Sequence, residues 1–178
     1  MVQADLKGKT VMIATTNPEV AGMDIGFALE QLGAKVIYSE QLLPLRPDYP
    51  IIGLFGGVSH PPITPENTAR YISDLEAACS IVGHRVEQQN PKIDAVILHN
   101  MDIKQDSARN AAVNLTKRIK EKCPVIISDG CDSKVAIQPL QDAGARFFNS
   151  DALNFEPLAA TVADIVAQHG KPGQRVGG

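Results

Sequence analysis

Eight residues that could do chemistry stand just past four short apolar runs. Thr15 and Thr16 follow Val11-Met-Ile-Ala14, while His99, Asn100 and Asp102 follow Ala95-Val-Ile-Leu98. Asp129 and Asp132 follow Pro124-Val-Ile-Ile-Ser128, and Asp151 follows Arg146-Phe-Phe-Asn149. A histidine with two or three aspartates is a donor set for a transition metal, and the same groups can pass protons. A simpler account is local. Asp132 precedes Ser133-Lys134-Val135, and Asp151 and Asn154 precede another helical pattern, where polar side chains cap helix starts. Helix starts collect such residues in any case, so no metal and no cofactor are expected. No Ser-His-Asp or Cys-His arrangement has support beyond the presence of the residue types. His60 in Ser59-His60-Pro61-Pro62 reads as a turn residue, and Asn17-Pro18 as a turn and helix start.

The elements that must position these residues alternate between short apolar runs and helical periods, the pattern of a parallel sheet covered by helices. Strands are predicted over Thr10–Thr15, Lys35–Tyr38, Ile93–Leu98, Pro124–Ile127 and Arg146–Asn149. Between them, Ile25, Ala28, Leu29 and Leu32 mark one helix that Gly33 stops, and Ile72, Leu75, Cys79 and Val82 mark the next. Ala112, Leu115 and Ile119 line a third helix. Val135 or Ala136, then Leu140 and Ala143, line a fourth ended by Gly144. Leu158, Val162, Ile165 and Val166 line the last. This predicts an α/β fold: a doubly wound parallel five-stranded sheet of flavodoxin-like order 2-1-3-4-5, with helices on both faces. The carboxyl ends of its strands converge on one edge, which would bring the eight residues together.

The chain has 178 residues, 44% of them hydrophobic and 21% charged, which fits one soluble domain with a proper core. One domain is expected over 1–169, with an inserted loop at 40–66 and a flexible tail at 170–178. The net charge of −3 argues against a nucleic-acid partner, because phosphate binding needs a clustered cationic excess. Cys79, Cys123 and Cys131 lack CxxC spacing, so neither a disulfide framework nor a zinc site is indicated. Reduced thiols, no membrane-length apolar run and no signal-peptide pattern at the start lead to a cytoplasmic expectation.

Residues 94–153 resemble the response-regulator receiver family from its third strand to its fifth, and Leu6 to Glu19 is similar to a receiver's opening. The resemblance spans 6–38 and 67–168. It implies a phosphoacceptor aspartate where this chain has His99, a Thr or Ser where it has Asp129, and a Lys where it has Asp151. The family's metal-binding acids are matched by Thr15 and Thr16. Two hydroxyls do not replace two carboxylates around Mg²⁺, and phosphoryl transfer needs that metal and a cation. Aspartyl phosphorylation is therefore not expected. Phe148 matches the family's aromatic switch, though a Phe in a strand is first of all core. The resemblance also implies a dimer or partner surface on the fourth helix, fifth strand and fifth helix, about Lys134 to Gln168. The loop at 40–66 departs from the family. Its apolar Ile51, Ile52, Leu54 and Phe55 must cover either the domain's own edge or an interface.

A second resemblance, to short-chain dehydrogenases, runs from Leu6 through Gly22 and again from Asp74 to Asn100. Thr16 and Val20 stand where that family's first two phosphate-facing glycines belong, and only Gly22 matches. The Tyr-x-x-x-Lys pair is absent, since no tyrosine follows Tyr71. What survives is a degenerate nucleotide pocket around Thr16, Asn17, Gly22 and Asn100. The sequence thus reads first as a pseudo-receiver with a protein partner or a homodimer. A small-ligand pocket ranks second, and an enzyme using His99, Asp129 and Asp151 third.

Overall fold

The six residues Thr10–Thr15 form strand β1 and are all buried, so no polar face alternates with an apolar one. That is the behaviour of a strand covered on both sides. Ala95–His99 (β3) and Val125–Asp129 (β4) are buried throughout in the same way. Lys35–Tyr38 (β2) and Arg146–Asn149 (β5) are exposed at both ends. Burial alone therefore ranks three strands as inner and two as edges. The computed structural model describes residues 5–15, 23–39, 65–150 and 155–169. Its one sheet has the order β2-β1-β3-β4-β5, with every pair parallel. The expected doubly wound α/β architecture is what the chain adopts.

Helices α1 (Met23–Gln31) and α5 (Glu156–His169) cover one face. There Ile25, Leu29, Leu158 and Val162 pack on Val11, Ile13 and Ile97. Helices α2 (Pro65–Gln88), α3 (Asp106–Ile119) and α4 (Lys134–Ala143) cover the other. Leu75, Val82, Leu115 and Leu140 meet Met12, Val96, Leu98 and Ile127 there. Helix α3 shows why these segments coil: Ala108, Ala111, Ala112, Leu115 and Ile119 recur at helical spacing and are the side it buries. Each fully buried Leu or Ile contributes roughly 1.5–3 kcal/mol of transfer free energy. Gly144 closes α4 at φ 106°, its N–H donating to the Gln141 and Leu140 carbonyls, a conformation that favours glycine.

The structure corrects two local expectations and decides between the alternatives Val135 and Ala136. Strands β3 and β4 end on His99 and Asp129 rather than one or two residues earlier, because both residues continue the ladder. Ala136, not Val135, faces the core at the start of α4, leaving Val135 80% exposed. The N-cap position of α4 is Ser133 rather than Asp132, and it makes no side-chain cap bond. The loop at 40–64, with Ile51, Ile52, Leu54 and Phe55, lies outside the described residues, as does the tail from 170.

Candidate functional site

Parallel pairing sets Thr15 beside His99, His99 beside Ser128, and Asp129 beside Asn149. The ends of β1, β3, β4 and β5 therefore present these side chains along one edge. Of the predicted site residues, Thr15, His99, Asn100, Asp102, Asp129 and Asp132 are gathered there. Thr16, Asn17, Gly22 and Asp151 lie outside the described residues.

His99 is 8% exposed. Its Nδ1 shares a hydrogen bond of 3.1 Å with Ser128 Oγ, and its ring meets Phe155 edge-on at 5.9 Å and 81°. Burial pushes its pKa down to about 4, since the cation loses its hydration, so the ring is neutral at pH 7. Its hydrogen-bond partner is the hydroxyl of Ser128, which sequence reasoning did not single out. The signal was one residue away: Ser128 precedes Asp129, and register places it opposite His99.

Asp129, 7% exposed, does a different job. The backbone N–H groups of Ile103, Cys131 and Asp102 lie near its carboxyl and favour the charged form. In the β3–α3 loop beside it, Asn100 (φ 54°) and Asp102 (φ 52°) are left-handed and Met101 and Ile103 are fully buried. Gln105 ties the loop's far side, donating its N–H to the Asp102 carbonyl at 2.9 Å and its Nε2 to Asp102 Oδ2 at 2.6 Å. Asp129 Oδ2 is enclosed and has no hydrogen-bond partner. Burial pushes the Asp129 pKa up, and the neighbouring Asp102 charge adds to this. The Ile103, Cys131 and Asp102 amides oppose it without reversing it.

The edge thus holds an imidazole kept neutral and a carboxyl biased towards its neutral form. Among the described residues, no three His, Cys, Asp or Glu side chains are placed to hold one metal ion. All three cysteines are buried and free; burial pushes Cys79 and Cys123 to about 12, which keeps them as thiols. Phe148 is half-buried against the α1/α5 side of the core. No helix among the described residues is long and apolar enough to cross a membrane.

No family model matches the sequence, and no curated protein matches it. Solved structures do. A response regulator from Thermotoga maritima superposes with TM-score 0.52 at 16% identity, covering 89% of this chain and 98% of that one. An orphan response regulator of H. pylori gives 0.50 at 14% identity, covering 89% and 97%. At such identity the likeness is one of fold.

Proposed function

We propose that this chain is a receiver-like signalling module that does without aspartyl phosphate and works through protein contacts. The observation that carries the reading is His99. On a fold shared with response regulators, it ends β3 as a buried, neutral ring hydrogen-bonded to Ser128 and paired in register with Thr15. Such a residue offers no carboxylate to accept phosphate, and neither Thr15 nor His99 supplies a charge for Mg²⁺. The proposal takes the described elements and the 40–66 insertion as one domain in a reducing cytoplasm. Its partner surfaces are the α4–β5–α5 face, which Val135 at 80% exposure supports, and the apolar stretch with Ile52, Leu54 and Phe55.

The test has two parts. Incubation with acetyl phosphate and MgCl₂ should leave the intact mass unchanged; a stoichiometric acid-stable or acid-labile phosphate adduct would sink the first half. Native mass spectrometry of protein purified gently from its own host should show a second protein or a homodimer. A monomer carrying a small molecule or a metal would overturn the second half. That outcome would favour the other reading, a degenerate Rossmann-like ligand pocket at the carboxyl edge. The unpartnered Asp129 Oδ2 is the feature that supports such a pocket, and a rise in melting temperature with nucleotides, flavin or divalent metals would reveal it.

A further inference from the structure

Charge is divided between the two ends of the sheet. A basic residue precedes or opens every strand: Lys9 before β1, Lys35 in β2, Lys92 before β3, Lys122 before β4 and Arg146 in β5. In a parallel sheet these positions share the amino edge. Neighbouring strands lie about 4.8 Å apart, so the strand order sets the cations in a row. Lys35, Lys92, Lys122 and Arg146 are exposed and Lys9 is half-exposed. Asp94 offsets part of the row, holding Lys9 at 3.6 Å and Lys92 at 3.2 Å. Asp5, Glu30, Glu87, Glu121 and Asp142 also lie at this edge, against the further cations Lys7, Arg85, Lys117, Arg118 and Lys120.

The opposite edge, where the helices begin, carries exposed acids. Asp24 stands in the first turn of α1, Asp102 and Asp106 at the entry to α3, Asp132 before α4, and Glu156 at the start of α5. Arg109 pairs with Asp106, and Lys104 and Lys134 are the exposed cations nearby. The acids have a local reason, since carboxylates suit helix N-termini. Among the described residues the charges still sum to one cationic end and one anionic end.

We propose that the amino edge of one copy docks on the carboxyl edge of another, in a salt-sensitive head-to-tail assembly. This rests on the reading of the chain as a protein-interaction module and adds, beside the partner surfaces named there, a contact between copies at the two ends of the sheet. What favours a second copy over a foreign acidic protein is that both complementary surfaces occur on one chain. The contact is heterologous, a different patch on each partner, so it adds copies into a ring or an open chain rather than closing as a two-fold dimer. Exposed ion pairs are individually weak and are screened over about 10 Å in 0.1 M salt. The assembly is therefore concentration-dependent and dissolves as salt rises.

Sedimentation velocity over a concentration series, in about 20 mM and about 300 mM salt, tests this. Two charge-reversed variants complete the design: Lys35→Glu/Lys122→Glu/Arg146→Glu at the amino edge and Asp24→Lys/Asp132→Lys at the carboxyl edge. Both spare the Asp94 cluster and the Asp102 turn, and circular dichroism checks that both fold. The wild type should grow beyond a dimer at low salt and revert to monomer at high salt. Each variant alone should associate roughly tenfold more weakly, and an equimolar mixture of the two should regain assembly. The proposal is overturned by a wild type that stays monomeric at low salt, by salt-insensitive association, or by a mixture that does not recover. A monomeric wild type that still co-purifies with a different protein would overturn the head-to-tail contact alone and leave the module reading intact.

Discussion

Thr10 and Asp94 grip each other twice across the β1–β3 seam. The Asp94 N–H donates to the Thr10 carbonyl at 2.8 Å, and the Thr10 N–H donates to Asp94 Oδ2 at 3.0 Å. The other oxygen, Oδ1, holds Lys92 at 3.2 Å and Lys9 at 3.6 Å. One carboxylate therefore satisfies the first donor of β1 and gathers two cations at the amino edge.

Asp94→Ala should cost roughly 1.5–3 kcal/mol, the usual range for a hydrogen bond to a charged group. Burial alone would raise the Asp94 pKa, but the Thr10 N–H and the two lysines outweigh it and hold the carboxyl below its ordinary 3.8. The unfolded chain then binds the proton more readily than the folded one, so this contribution is whole above the ordinary value. It is lost as pH falls through the lowered one. Urea midpoints at pH 7 and pH 3 should differ less in the variant than in the wild type; an equal difference would remove Asp94 from the acid sensitivity.

His99 loads the same side of the pH scale by a different route. Its pKa falls from 6.5 to about 4 because the cation is desolvated. Between those values the unfolded chain binds a proton that the folded chain refuses, so stability is full above 6.5 and declines towards pH 4, by on the order of 3 kcal/mol. His99→Gln should flatten that decline. Guanidinium unfolding at pH 7 and pH 4.5 measures it, and a variant as acid-sensitive as the wild type would contradict the assignment.

At the sheet's β2 edge, Gly26 of α1 lies directly under the Tyr38 ring tip, leaving no room for a β-carbon. Gly26→Ala should cost up to about 1 kcal/mol, because the Tyr38 ring tip, on a side chain 37% exposed, has to swing aside. Tyr38→Ala in the same molecule should recover most of the loss. A double-mutant cycle reads the coupling directly, and additive effects would mean the two residues do not press on each other.

Sequence periodicity was enough for the strand order and for β2 and β5 to the residue, because apolar runs and glycine stops mark them. It ended β3 and β4 early, since His99 and Asp129 look like loop residues until Ser128 and Asn149 are set beside them. It could not separate Asp94 from Asp129. Both are aspartates flanking a strand, yet one pKa is lowered and the other raised. The difference comes from surroundings that only the fold supplies: at Asp94 the Thr10 N–H from 84 residues away and two lysines outweigh burial, while at Asp129 burial and the Asp102 charge outweigh the nearby amides.

The role of Asp129 can be separated from its charge. Asp129→Ala removes the carboxyl beside the Ile103, Cys131 and Asp102 amides. Asp129→Asn keeps an acceptor oxygen, ends the repulsion with Asp102, and places an amide where Oδ2 is already unpartnered. The alanine variant should therefore be the less stable of the two, and amide exchange should accelerate at Asp102, Ile103 and Cys131. The asparagine variant should stay close to wild type at pH 7. Because the carboxyl is raised above its ordinary 3.8, the folded state holds the proton more tightly. Its contribution to stability is greatest below that value and is lost as pH rises through the native pKa, opposite in sign to Asp94. Hydrogen exchange on the two variants settles it: equal loosening of the loop in both would mean that Asp129 acts through its charge and not as an anchor.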